Sequence, residues 1–157
     1  MKLSTTALAR LKGVHPDLVR VVKRAADICP VDFTITEGLR TLARQKQLVA
    51  AGASQTLNSR HLTGHAIDLA PVIGGKVSWD WPPFFKIAEA MRAAAMAEKV
   101  QIRWGGAWDV RLNAMKGSPE RESAGYVQRR RAQKRKAFLD GPHFELPSEL
   151  YPARAAA

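Results

Sequence analysis

Four histidines and the acids near them carry most of the chemistry this chain could perform. His15 precedes Pro16 and Asp17 at a helix start and reads as a capping or surface residue. His61 lies in Ser59-Arg60-His61-Leu62-Thr63-Gly64-His65-Ala66-Ile67-Asp68, a polar turn feeding a strand with one carboxylate inside an apolar run. A carboxylate without partners in a strand core is costly, so Asp68 needs a cation or donors beside it, and a metal ion would serve. Strand alternation puts Ala66 and Asp68 on one face and Ile67 and Leu69 on the other, so Asp68 can look into a site while its neighbours pack. The same alternation sends His143 one way and Phe144 and Leu146 the other. Two imidazoles and one carboxylate leave a tetrahedral zinc ion an open position for water, which is the catalytic rather than the structural arrangement.

A hydrolase built on such a site also needs a base for the water's proton. Asp140, three residues before His143 across Gly141-Pro142, is placed to act as one, with Glu145 in reserve on the face of His143. Arg40, directly after the strand end at Gly38, is the candidate to stabilise an oxyanion or grip a substrate carboxylate. His65 reads as a lining or surface residue, with a ligand role in place of His61 as its alternative. Arg44 and Arg60 read as solvated. On spacing alone, hydrogen-bonded structural residues explain this pattern as readily as a metal site does.

Composition bounds what can position these groups. The chain has 157 residues, 46% of them hydrophobic, 25 Lys or Arg against 14 Asp or Glu, a formal charge of +11 and one cysteine. That suits one globular domain over 1–157, with no second domain. Cys29 alone excludes an internal disulfide and a paired-thiolate site, so any metal must be held by His, Asp or Glu. The N-terminus lacks the apolar core of a signal peptide, and no apolar run is long enough to span a membrane, so a soluble product made in the cytoplasm is expected. The surplus charge predicts attraction to a polyanion, whether nucleic acid, anionic lipid or cell-wall polymer.

Apolar residues at helical spacing predict a helix over about 16–29, stopped by Pro30. Phe33 and Ile35 alternate in a strand ending at Gly38, and Thr41 caps a second helix through Val49 to Gly52. Ala66–Ala70 reads as a short strand and 72–77 as a hairpin turning on Gly74 and Gly75. Pro82 and Pro83 open a helix through Ala95, and Val100, Ile102 and Trp104 alternate as a further strand. Residues 107–125 have no clear period and read as an irregular, functional loop. Arg129, Arg130, Arg131, Lys134, Arg135 and Lys136 then form a basic run, read as one helix, before a last strand at 143–146 and an Ala-rich tail. Mixed elements without strict alternation favour an α+β fold with a small, largely antiparallel sheet flanked by helices.

Taken together, Gly38-Leu39-Arg40, Gln45, Ser59-x-His61-x-x-Gly64-x-Ala66-x-Asp68, Trp104-Gly105-Gly106-x-Trp108 and Asp140-x-x-His143-Phe144-Glu145 resemble the zinc D-Ala-D-Ala carboxypeptidase superfamily, which includes hedgehog-like domains. Within it they most resemble bacteriophage endolysins of the L-alanyl-D-glutamate peptidase type. The resemblance implies zinc held by His61, Asp68 and His143, Asp140 as acid/base, Arg40 as the transition-state arginine, and Ser59 orienting substrate or the ligand loop. It implies cleavage of the L-Ala to D-Glu bond of peptidoglycan stems by a monomer that waits in the host cytoplasm until the membrane is permeabilised and then reaches the wall. Residues 109–125 lack the alternating oxygen ligands calcium prefers, so the calcium regulation of some relatives is not expected. Ala107 stands where many relatives have an acid.

The alternatives are a D,D-carboxypeptidase on the same metal, a basic nucleic-acid-binding module, and a zinc domain without catalysis, against which Asp140 and Arg40 argue. Residues Arg129 to Lys136 carry six basic residues and no acid, more than half of the charge surplus. That run is expected to hold the enzyme to an anionic envelope surface rather than to a specific nucleic acid, because it lacks interleaved aromatics for base stacking.

Overall fold

The structure, a computed structural model, describes residues 1–153. The Ala-rich end at 154–157 lies outside the described residues. Pro16–Ile28 forms helix α2, entered through Pro16 in its first turn and capped by His15, whose Nδ1 accepts the Asp17 amide hydrogen at 3.1 Å. Its stripe of Leu18, Val21, Val22, Ala25 and Ala26 is buried against helix α4, Trp81–Glu98, through Ile87, Met91, Ala94 and Ala95. A short helix α1, Thr5–Arg10, precedes them; it was not expected from the sequence, since only Ala7 of its six residues is buried and no apolar stripe marks it.

Strand β1, Phe33–Glu37, is followed by helix α3, Leu42–Ala50, which Thr41 caps as expected. Strands β2, Ala66–Ile73, and β3, Lys76–Val77, form the hairpin at Gly74 and Gly75, both at positive φ. Strands β4, Arg103–Trp104, and β5, His143–Glu145, complete an antiparallel sheet in the order β1-β2-β5-β4, with β3 paired to β2. The fold is therefore the α+β arrangement expected.

Register explains how the sheet separates core from site. Ile35 pairs with Leu69 and Ile67 with Phe144, and all four are fully buried on the helix side. Asp68 pairs with His143 and also with Glu37, so three ionisable groups share the other face. The register slips between Ile35 and Glu37, a bulge that re-aims the end of β1 toward that face.

Three expectations are corrected. Residues 107–125 are not wholly irregular, because helix α5 begins at Pro119 and runs to Ala132. Ser118 caps it, Glu120 and Glu122 fill its first turn and arginines its last, but only Pro119, Ser123 and Tyr126 are buried, so it has no apolar period to detect. The basic run is not one helix either: Arg129–Arg131 end α5, and Lys134 at φ 55° turns the chain away before Arg135 and Lys136. Of the strand expected over 100–104, only Arg103 and Trp104 pair; Val100 and Ile102 are buried without joining the ladder. Among the described residues no helix is long and apolar enough to cross a membrane.

The register makes a test of packing. Ile67→Ala should cost about 2–5 kcal/mol in urea unfolding, while Ile73→Ala, at a half-exposed position near the hairpin tip, should stay within about 0.5 kcal/mol.

Candidate active site

Asp68 is the centre of the ionisable face. Its Oδ1 lies 3.2 Å from His61 Nε2 and 3.3 Å from His143 Nδ1. One ligand atom from each of these residues falls within 4.8 Å of the others, and this is the one such cluster of three or more among the described residues. The outer nitrogen of each ring is also held. His61 Nδ1 is 2.8 Å from the Gly38 carbonyl, which can only accept, so Nδ1 is a donor and Nε2 is the nitrogen turned toward Asp68. His143 Nε2 donates to Glu145 Oε2 at 2.8 Å, which turns Nδ1 toward Asp68. Two imidazoles and a carboxylate, aimed at one point by outer partners, form a donor set that fits a divalent cation such as zinc.

Local structure fixes each member. Ser59 caps a single 3-10 turn, Arg60–Thr63, by accepting the His61 amide hydrogen at 3.3 Å. Gly64 closes that turn at φ 73°, where a Cβ would also collide with the Gly13 carbonyl oxygen. His61 is thus held by a polar turn, Asp68 by β2 and His143 by β5.

Arg40 is buried beneath the cluster with its guanidinium largely committed. Nε and Nη2 form a fork on the Glu37 carboxylate at 2.8 and 2.6 Å, Nη1 donates to Gln45 Oε1 at 2.7 Å, and Nη2 reaches Asp68 Oδ2 at 3.5 Å. Gln45 is fully buried and donates in turn to Ser54 Oγ and the Thr56 carbonyl, tying the polar loop after α3 to the site.

Asp140 is delivered by a clamp built from the Trp-Gly-Gly-x-Trp block. Trp104 Nε1 donates to the Gly141 carbonyl at 2.8 Å and Trp108 Nε1 to the Phe138 carbonyl at 3.0 Å. The Asp140 amide donates to the Gly105 carbonyl, and the Gly105 amide to the His143 carbonyl, each at 2.9 Å. A Cβ on Gly105 would collide with the Asp140 carbonyl oxygen, so only glycine allows this approach. The Asp140 side chain makes no hydrogen bond among the described residues and lines, with the cluster, a cleft of about 1000 Å³.

Charge follows geometry. Burial alone would raise the Asp68 carboxyl, but hydrogen bonds from His143 and His61 hold it well below the usual carboxylate range. Burial would lower His143, yet Asp68 and Glu145 on either side raise it to about 10 without a metal. Glu145 is held low by His143 and then Arg103, although its burial opposes this. Asp140 moves the other way: burial first, and then the Asp68 charge, push its carboxyl up.

The structure therefore brings His61, Asp68, His143, Asp140 and Arg40 to one cleft, with Ser59 at its edge. His65 stands apart, its Nδ1 2.7 Å from Thr63 Oγ1. Glu145, the reserve base, is instead the outer partner of His143. Arg60 is not solvated: its Nη2 holds the Leu146 and Tyr151 carbonyls at 2.8 and 2.7 Å. Glu37 and the Gly38 carbonyl were not expected from the sequence. An acid three residues before Arg40 was a signal for the first, whereas a backbone oxygen carries none.

A family model described as phage L-alanyl-D-glutamate peptidase matches residues 1–147. The L-alanyl-D-glutamate peptidase of Escherichia phage T5 is 37% identical over 112 residues, covering 69% of this chain and 82% of that protein. The crystal structure of the Serratia marcescens L-Ala D-Glu endopeptidase ChiX superposes with a TM-score of 0.74 at 40% identity, covering 98% of this chain and 95% of that one.

Because His143 is protonated at neutral pH in the metal-free site and a metal requires its lone pair, zinc uptake at pH 7 should release a proton that is no longer released above about pH 10. Calorimetry in buffers of different ionisation enthalpy measures this. In His143→Ala, both stoichiometric zinc and the coupled proton should be lost.

Proposed function

The chain belongs to the phage L-alanyl-D-glutamate peptidase family, and from that premise we propose that it is a zinc-dependent endolysin cutting the L-Ala to D-Glu bond of peptidoglycan stems. The observation that carries the proposal is the Asp68-centred ligand set beside an Asp140 carboxylate with no hydrogen-bond partner among the described residues, both in one cleft. Its ligands are His61 through Nε2, Asp68 through its carboxylate and His143 through Nδ1.

Zinc held by these three residues would supply Lewis acidity toward a carbonyl oxygen and a water molecule. Asp140 is placed to take the proton of the attacking water on its carboxylate and to pass it to the nitrogen of the leaving D-glutamyl residue. Its raised proton affinity suits both transfers, since a carboxylate of ordinary pKa would be a weaker base and would hold the proton less well between steps. Arg40 keeps its charge next to Asp68, where it fixes the carboxylate and offsets negative charge developing on the substrate oxygen. Gln45 and Glu37 hold that guanidinium, and Ser59 holds the turn carrying His61. Trp108, its ring centroid 5.1 Å from that of His143, walls one side and limits water.

We extend the proposal to the whole chain as one catalytic domain acting as a monomer. The single hydrophobic core of the described residues supports the first part. The basic stretch is proposed to hold the enzyme to anionic envelope polymer: Arg130, Arg131, Lys134, Arg135 and Lys136 supply it, while Arg129 is partly neutralised by a fork on Asp109 at 2.7 and 3.0 Å. Membership of a phage family supports the staging, in which the enzyme waits in the host cytoplasm and meets the wall once the membrane is permeabilised.

Digestion of purified peptidoglycan with zinc present, followed by mass spectrometry, tests the activity. New N-terminal D-Glu is expected; release of free D-Ala would assign a carboxypeptidase instead, and the absence of any product would refute both. Asp140→Asn should keep zinc and lose about 10²–10⁴-fold in turnover, and the acidic limb of the wild-type pH profile should lie above the ordinary carboxylate range.

A further inference from the structure

Cleavage beside a D-glutamyl residue, the activity proposed above and the one this inference rests on, makes a demand that the catalytic groups leave open. A glutamyl residue has two carboxyl groups; when one continues the stem, the other remains as a carboxylate close to the scissile amide. The leaving-group side of the cleft must therefore supply a cation, or the substrate loses hydration of that charge without compensation.

Among the described residues, three arginines line the cleft. The Arg40 fork is taken by Glu37, with Gln45 and Asp68 holding its terminal nitrogens. Arg60 is bound through Nε and Nη2 to the carbonyls of Leu146 and Tyr151. Among the described residues the Arg130 side chain makes one hydrogen bond, from Nε to the Lys136 carbonyl at 3.2 Å. That contact orients the guanidinium and leaves both Nη groups, the pair suited to a bidentate carboxylate, without a partner among the described residues.

Position agrees with chemistry. Arg130 lies one helical turn after Tyr126 on α5, and both line the cleft. Its anchor, Lys136, belongs to the segment that delivers Asp140, the group that returns a proton to the leaving nitrogen. Trp108 and Phe138, stacked with ring centroids 6.4 Å apart, give that segment an apolar wall, which strengthens an ion pair beside it. The other acids of the cleft would repel a substrate carboxylate less than their number suggests: Glu37 is paired with Arg40, Asp68 with both histidines, and Glu145 with His143 and Arg103.

We propose that Arg130 is a specificity residue that binds the free carboxylate of the D-glutamyl residue, set apart from its neighbours in the basic run by its place on the cleft wall. The role of gripping a substrate carboxylate thus falls to Arg130 rather than to the committed Arg40.

The test compares two N-acetylated synthetic stem peptides, identical except that the D-glutamyl carboxylate is a carboxamide in the second. The zinc-loaded wild-type protein should prefer the carboxylate peptide by ~10-fold or more in kcat/KM, mainly through KM. Arg130→Gln should lose that preference and fall to the carboxamide rate, with Arg130→Lys recovering part of it. Arg130 is partly buried on the cleft wall and lies outside the hydrophobic core, so little change in thermal unfolding is expected for either variant. Equal losses on the two peptides, or a preference that survives Arg130→Gln, would overturn the role of this arginine alone. A wild-type protein that cuts neither peptide would overturn it together with the activity on which it rests.

Discussion

The partly buried carboxylate of Asp68, on the cleft face of the sheet, is the constraint around which the rest of the structure is arranged. An ionised carboxylate with most of its water stripped away is stable only with charge and donors beside it, and Asp68 receives them from three elements. His61 comes from the turn before its own strand, His143 from directly across the sheet, and Arg40 from the loop after the other neighbouring strand. Removal of any one leaves the others with unbalanced charge, so the cluster acts as a unit. The antiparallel register of β2 with β5 is what makes it possible, because it sets a residue near the start of one strand opposite the start of another 75 positions later.

Around that unit lies a ring of groups whose role is orientation. The Gly38 carbonyl and Glu145 fix which nitrogen of each imidazole faces inward, and Glu37 with Gln45 fixes the plane of Arg40. The clamp on the Asp140 segment is mostly backbone, with two indole N–H groups added. Positions set this way resist sliding, since each atom is held from two directions, and a base held firmly within the cleft loses little to reorientation during reaction. The contrast in proton affinity between Asp68 and Asp140 has the same origin: one carboxylate is surrounded by donors, while the other is desolvated beside a negative neighbour.

Much of this was legible from residue types. A carboxylate in an apolar strand signalled a site because the alternation of β2 is regular, and Asp140 followed from its distance to His143. The sheet strands and α2 to α4 were readable from apolar period and from Pro, Gly and Thr at their ends. Helix α5 was not, because it packs through one tyrosine and a few small contacts, and its arginines look the same in a helix or a loop. Orientation by backbone carbonyls was also invisible, as was the capture of carbonyls at 146 and 151 by Arg60, which depends on a contact 86 or more positions away. The charge surplus first suggested an undifferentiated adhesive surface. Its members separate in three dimensions into a residue paired with Asp109, one on the cleft wall and others facing solvent.

Where the metal binds, and through which atoms, decides whether the Asp68 cluster is a catalytic centre. Diffraction from crystals grown with zinc, recorded on both sides of the zinc absorption edge, locates it directly. The expected result is one anomalous peak about 2.0–2.1 Å from His61 Nε2 and His143 Nδ1 and a similar distance from an Asp68 oxygen. A peak at another place, or ligation through His143 Nε2 or His65, would contradict it.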